Sequence, residues 1–142
     1  MTDSVVGVWL LRACYLEVVK TGERIEPFGA NPKGVFMIHP DGRAVALVTR
    51  GVQKRPVTEA DQAEAFQKLV AYSGRYRVEP PDRLVVAVDT AWFEPWLGSE
   101  QARRFVVSGD TLEIVGEPTT TPLTGDAIIV GVLSWVREKP AA

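Results

Sequence analysis

The sequence predicts an all-β protein, an antiparallel up-and-down β-barrel of about nine strands with one α-helix packed on an end or flank. Most segments between turns are short and rich in Val, Ile, Leu and aromatic residues, which is the composition of strands. Turns such as Pro40-Asp41-Gly42 and Ser108-Gly109-Asp110 are tight, so the strands they join run antiparallel. Several strands carry apolar residues on both faces, and closing the meander buries both without leaving an exposed edge.

Turn signals divide the chain into the expected strands. These are residues 8–19, 24–27, 35–39, 43–50, 74–79, 84–91, 101–107, 111–115 and 127–137. An open two-layer sandwich is the alternative arrangement of the same strands.

The segment 58–73 has helical rather than strand periodicity. Thr58 is the expected N-cap, Phe66 and Leu69 lie on one apolar stripe, and Gly74 is the expected left-handed stop. We expect this helix to bury Phe66 and Leu69 against the barrel.

Composition limits the classes of partner. The 142 residues, 46% of them hydrophobic, suit a single domain spanning 1–142. The net charge of −2 comes from scattered charges, whereas nucleic-acid binding needs clustered positive ones, so that partner is not expected. One cysteine and one histidine exclude an internal disulfide, a thiolate zinc site and a three-histidine metal site. Without a glycine-rich phosphate loop either, we expect no metal and no cofactor.

Location is inferred from the N-terminus and the longest apolar run. The first residues lack a basic segment followed by an apolar core, and the run 127–136 is too short to span a bilayer. A cytoplasmic protein without a membrane partner is expected.

Several ordered landmarks carry a resemblance to a known family. They are Gly7-Val8-Trp9, Pro27-Phe28-Gly29, Tyr72-Ser73-Gly74-Arg75-Tyr76, Trp96-Leu97-Gly98, Gln101-Ala102-Arg103-Arg104-Phe105 and Gly131-Val132-Leu133-Ser134-Trp135. Over almost its whole length the chain resembles a bacterial and fungal lipocalin-like domain family. The resemblance implies a calycin-like barrel, and some barrels of related shape bind or cyclise natural products. Because Val86 and Ala87 stand where relatives more often carry polar or imidazole groups, no catalytic residue is transferred.

The resemblance also implies a barrel floor. In lipocalins a Trp at the start of the first strand stacks with an Arg from the last strand. The matching residues here are Trp9 and Arg137, with Trp135 beside them, and we expect a cation–π contact between Trp9 and Arg137.

Aromatic and polar residues of the strands and loops are the candidates for contacting a ligand. The aromatic loop that contains Trp92, Phe93 and Trp96 is expected either to cover the barrel mouth or to form a ligand wall. Arg103 and Phe105 share a parity, so either an Arg lies inside the barrel or a Phe lies outside it. The full set of candidate ligand-binding residues is Tyr15, Phe36, Tyr72, Trp92, Phe93, Trp96, Arg103 and Phe105.

Three residues are candidates for acid–base chemistry. Tyr76 is expected to point inward, where it is either a core residue or a polarising group. Asp89 interrupts an apolar strand and either faces solvent or points inward with a raised pKa. His39, the sole histidine, lies at a strand end beside a turn.

The predicted function is binding of a small, largely apolar organic molecule inside the barrel. As a finer hypothesis, the protein also rearranges this molecule as a cofactor-free cyclase or isomerase of natural-product metabolism. The alternatives are a passive carrier or sensor of a hydrophobic metabolite, and an interaction module with a filled core that associates as a homodimer.

Overall fold

The computed structural model describes residues 4–120 and 125–139, so the outermost residues of the predicted domain 1–142 lie outside it. The described chain contains an α-helix, α1 (Glu59–Gln67), and a 3₁₀ turn at Glu94–Trp96. Its strands are β1 (Gly7–Val18), β2 (Arg24–Ile25), β3 (Lys33–Ile38), β4 (Arg43–Thr49), β5 (Leu69–Glu79), β6 (Arg83–Ala91), β7 (Glu100–Ser108), β8 (Thr111–Gly116), β9 (Thr119–Thr120) and β10 (Ile128–Arg137).

Eight of these strands close into an antiparallel barrel in the order β1-β3-β4-β5-β6-β7-β8-β10, and β10 pairs again with β1. The short strands β2 and β9 are added at the edges of β1 and β10. The predicted barrel is therefore confirmed, and the two-layer sandwich is wrong. Among the described residues, no helix is long and apolar enough to cross a membrane.

Strict alternation decides which side chains enter the barrel. Along β4, Ala44, Ala46 and Val48 are buried, whereas Val45 and Leu47 are exposed. β4 therefore supplies every second side chain to the interior, as a half-buried sheet requires.

A β-bulge in β1 changes this parity. Leu11 pairs with Trp135 and Ala13 with Ser134, so the exposed Arg12 has no partner in the ladder. Trp9, before this residue in the sequence, and Cys14, after it, are both buried. The residues that point inward therefore have odd numbers before the bulge and even numbers after it. A sequence pattern read with a fixed period of two misses this change.

The helix is shorter than predicted. It begins after the capping box of Thr58 and Asp61, but it ends at Gln67, and Leu69 already belongs to β5. The predicted range 58–73 and the predicted stop at Gly74 are wrong because residues 69–73 pair with β4. Hydrogen bonds to a neighbouring strand outweigh a few residues of helical periodicity. Phe66 is 48% exposed, so the expected burial of its ring does not occur.

One end of the barrel is closed by large side chains. Trp9, Ile38, Leu112 and Trp135 are at most 2% exposed. The connections at the opposite end contain α1, the segment between β2 and β3, and the aromatic loop after β6. Lys68, just after α1, donates to the Pro27 carbonyl at 3.1 Å, and Trp92 donates to the Phe66 carbonyl at 3.3 Å. Hydrogen bonds thus join the helix region to the segment between β2 and β3 and to the aromatic loop after β6.

Candidate functional site

An internal cavity of about 190 Å³ lies in the barrel, and we refer to it as the cavity. Its wall is mostly apolar because it is built from the inward positions of all eight barrel strands. Representative apolar lining residues are Leu16, Phe36, Val48, Leu84, Ile114 and Leu133.

The cavity lies between the closed end and the mouth loops. Trp135 forms part of its wall and packs against Phe36, with 5.6 Å between ring centroids. At the mouth, Phe28 and Trp96 line it from two different loops. A guest would therefore lie between an aromatic floor and an aromatic cover.

The cavity adjoins a wider outer cleft of about 980 Å³, and both are lined by Trp96, Gln101, Arg103, Gly131 and Leu133. The cleft exists because β8 is short. The last pairs of β8 are Gly116 with Arg103 and Val115 with Val132. Beyond them the two-residue strand β9 pairs with β10 at Ile128 and Ile129, but no pairing joins it to β7 among the described residues. The predicted strands did not reveal this lateral opening.

Polar groups are gathered on one part of the wall. Arg103 donates from Nη2 to Gln101 Oε1 at 3.0 Å and from Nη1 to the Ala102 carbonyl at 2.8 Å. Tyr72 also lines the cavity and packs edge-on against Trp96 at 5.1 Å. Burial raises the pKa of Tyr72, and the positive charge of Arg103 acts against this rise. Tyr72 therefore stays protonated near neutral pH and can donate a hydrogen bond.

The remaining titratable lining group is Cys14. Burial raises the pKa of its thiol to about 12, so it is a neutral, weakly polar part of the wall. The indole nitrogen of Trp135 is also buried and has no acceptor within residues 4–120 and 125–139.

The predicted ligand-binding residues divide into three groups. Phe36, Tyr72, Trp96 and Arg103 line the cavity, and Phe93 lines the outer cleft. Arg103 and Phe105 both point into the barrel, so of the two alternatives the one with an arginine inside is present. Phe105 lies in the core.

Besides Phe105, two more predicted residues, Tyr15 and Trp92, lie outside the lining of the cavity and the cleft. The bulge at Arg12 turns Tyr15 to the outer face, where the Arg24 guanidinium carbon lies 4.2 Å from its ring centroid. Trp92 packs edge-on against Trp96, with 5.2 Å between the ring centroids, and so contacts the mouth through that residue.

The three candidates for acid–base chemistry lie outside the lining of the cavity, and their catalytic roles stay predictions. Tyr76 donates from its hydroxyl to the His39 carbonyl at 2.7 Å, near the closed end. His39 is exposed, and its Nδ1 accepts from the Asp41 backbone at 3.1 Å. Asp89 faces outward and binds Arg43 Nη2 at 2.8 Å. The Arg43 guanidinium lowers the pKa of Asp89 to about 2, so the outward alternative is the one present.

Sequence reasoning missed Gln101, Cys14 and Gly131 as lining residues. Gln101 could have been found, because it lies two residues before Arg103 on the same strand face. Cys14 could not, because its inward position depends on the bulge.

The floor pairs Trp9 with Arg137 in register. The Arg137 guanidinium carbon lies 4.2 Å from the centroid of the Trp9 ring. A closed barrel with an apolar interior cavity above such a floor defines the class of small lipocalin-like barrels.

The comparison with protein families agrees with this class. The family model described as a lipocalin-like domain matches residues 6–138, so the chain belongs to the lipocalin-like domain family. A search of curated proteins gives no match.

Proposed function

We propose that this protein binds one small, largely apolar organic molecule in the cavity. The observation that carries the proposal is the mostly apolar space of about 190 Å³ inside the barrel. An apolar cavity of about 150 Å³ is large enough to bind benzene, so this one suits a body of one or two rings. A longer guest extends towards the outer cleft on the side of Gly131, which lines both spaces.

Membership of a lipocalin-like family supports the proposal, because such barrels suit hydrophobic small molecules. The cavity argues against the alternative of an interaction module with a filled core, because the side chains of the barrel leave this space open.

The test is a titration with the neutral dye N-phenyl-1-naphthylamine, whose fluorescence rises in apolar surroundings. We expect saturable binding with one site per chain. Ala46→Phe puts a ring into the cavity wall, so it should weaken binding at least tenfold. Ala87→Phe is the matched control, because Ala87 is exposed on the outside of the barrel and its substitution should leave dye binding unchanged.

Circular dichroism and thermal unfolding verify that each variant is folded. Should Ala46→Phe unfold, Leu133→Phe tests the same cavity from β10. Absence of saturable binding, or equal binding by folded Ala46→Phe and Ala87→Phe, would overturn the proposal.

The finer proposal is that the protein rearranges its guest as a cofactor-free cyclase or isomerase. Its support is that Tyr72 and Arg103 line the same confined space, where hydrogen bonding to a carbonyl oxygen favours an intramolecular reaction. Citronellal is a suitable probe, because its alkene can attack its own activated aldehyde carbon to form isopulegol without any co-reactant. Product that accumulates with the native protein but not with Tyr72→Phe supports the enzyme. No product above the uncatalysed rate favours the passive carrier or sensor.

A further inference from the structure

The charge balance of the cavity indicates what kind of guest it holds. Of the described residues that line the cavity, Arg103 alone carries a charge. Its guanidinium group donates to the Gln101 side chain and the Ala102 carbonyl, and both of these acceptors are neutral. A partly buried cation without an anionic partner is costly, and a guanidinium group has more N–H donors than these two bonds use.

Nearby carboxylates are already bound to other arginines. Glu100, at the rim of the outer cleft, accepts from Arg77 at 2.7 Å. Glu117, on the other side of the cleft, accepts from Arg83 at 3.4 Å. Throughout the part of the chain that the structure describes, no carboxylate forms an ion pair with Arg103.

The other polar side chains of this wall, Tyr72 and Gln101, bring no negative charge. The Tyr72 hydroxyl has no hydrogen-bond partner among the described residues, and it can donate in its neutral form. Gln101 offers an acceptor oxygen, but Arg103 occupies it. A guest that complements these groups brings acceptor oxygens and a negative charge.

We propose that the natural guest is a small monocarboxylic acid, with its carboxylate on Arg103 and Tyr72 and its apolar body in the cavity. This inference rests on the proposed binding function and adds the chemical class of the ligand. A carboxylate matches the planar guanidinium fork with two parallel hydrogen bonds. A phosphate ester would bring roughly two negative charges to a single lining cation, so we expect the carboxylate to be preferred.

The orientation follows from where Arg103 lies. It lines both the cavity and the outer cleft, whereas Leu84 and Ile114 line the cavity alone. The carboxylate therefore lies at the junction, and the apolar part points inward. This arrangement leaves the charged end close to solvent and lowers the cost of removing it from water.

The experiment compares naphthalene-2-carboxylic acid with its amide, which has nearly the same shape and no charge. Calorimetric titration at about pH 7 should give an affinity about 10- to 100-fold higher for the acid than for the amide. Arg103→Gln should abolish this preference, so that the acid and the amide bind to the variant with affinities within about threefold of each other. Arg104→Gln is the matched control, because Arg104 is exposed and lies outside the lining of both spaces, and it should keep the preference.

Equal affinity for acid and amide in the native protein would overturn the carboxylate inference while leaving the proposed binding function intact. A preference for the acid that persists in Arg103→Gln would also overturn it, because the anion would then bind elsewhere. Tighter binding of 2-naphthyl phosphate than of the acid would exclude the carboxylate as the preferred anion. Failure of the acid, the amide and the neutral dye to bind at all would instead reject the proposed function.

Discussion

The guanidinium carbon of Arg137 lies 4.2 Å from the centroid of the Trp9 ring, and Trp9 is fully buried beneath it. Nη1 of Arg137 also donates to the Val6 carbonyl at 2.9 Å, which ties the last strand to the segment before the first. We expect Arg137→Ala to lower the free energy of unfolding by about 2–3 kcal/mol, because a cation–π contact and a charged hydrogen bond are lost together. Urea unfolding followed by tryptophan fluorescence measures this change.

Arg24 and Tyr15 provide the matched control, because their cation–π distance is also 4.2 Å but the Arg24 side chain is 61% exposed. Solvent weakens such a contact, so Arg24→Ala should cost less than about 1 kcal/mol. Equal losses of unfolding free energy in Arg137→Ala and Arg24→Ala would show that burial of the Trp9 ring does not strengthen its contact with Arg137.

The ion pair between Asp89 and Arg43 predicts a pH dependence of stability. Hydrogen bonds from Arg43 and Thr90 lower the pKa of Asp89 from 3.8 to about 2 in the folded protein. Its stabilising effect is therefore complete above the ordinary carboxyl pKa and disappears as the pH falls through about 2. The difference in unfolding free energy between the native protein and Asp89→Asn should be constant near neutral pH and narrow in acid.

Urea unfolding at a series of pH values measures that difference. In an Arg43→Gln background the pKa of Asp89 rises towards its ordinary value, so the folded and unfolded pKa values approach each other and the narrowing in acid should largely disappear. A difference that widens on acidification would contradict the assignment of Arg43 as the cause.

The position of Cys14 predicts that its thiol reacts slowly with labelling reagents and that a bound guest protects it. Its thiol lines the cavity, and with a pKa of about 12 it is almost wholly protonated near pH 8. An aromatic disulfide reagent should therefore label the folded protein slowly and the urea-unfolded protein at the rate of an ordinary cysteine. Absorbance of the released thiolate follows the reaction, and Cys14→Ala gives the blank.

A molecule bound in the cavity should slow this labelling further. Rapid, complete labelling of the folded protein, at a rate that a cavity ligand does not change, would show that Cys14 does not lie in the wall of the binding space.

The sequence predicts the barrel because the features that indicate it, alternating burial and tight turns, recur along the chain. Alternation in β4 and β8, and tight turns such as Pro40-Asp41-Gly42, each require the same antiparallel neighbours. The helix end was missed because residues 69–73 satisfy helical spacing and strand composition equally well. Their pairing with β4, which decides between the two, is a contact distant in sequence.

The site is less predictable because two of its determinants are local irregularities. The bulge at Arg12 puts Cys14 inside and Tyr15 outside, and the end of β8 at Gly116 opens the outer cleft. Neither feature leaves a recognisable residue pattern. Arg103 was identified as a candidate, but its inward orientation could be decided only from the register of β7 against β8.

Two glycines within strands differ in the space around them, which gives a paired prediction. A Cβ atom on Gly131 would lie 3.6 Å from Leu16 Cδ2, an ordinary contact, whereas one on Gly74 would collide with the Ala87 carbonyl oxygen. Gly131→Ala should raise the free energy of unfolding by about 0.5–1 kcal/mol, because it restricts the unfolded chain without strain. Gly74→Ala should lower it by more than about 1 kcal/mol, because the ladder between β5 and β6 must move apart. Thermal unfolding of both variants measures these changes, and stabilisation by both would show that β5 and β6 are not in such close contact at Gly74.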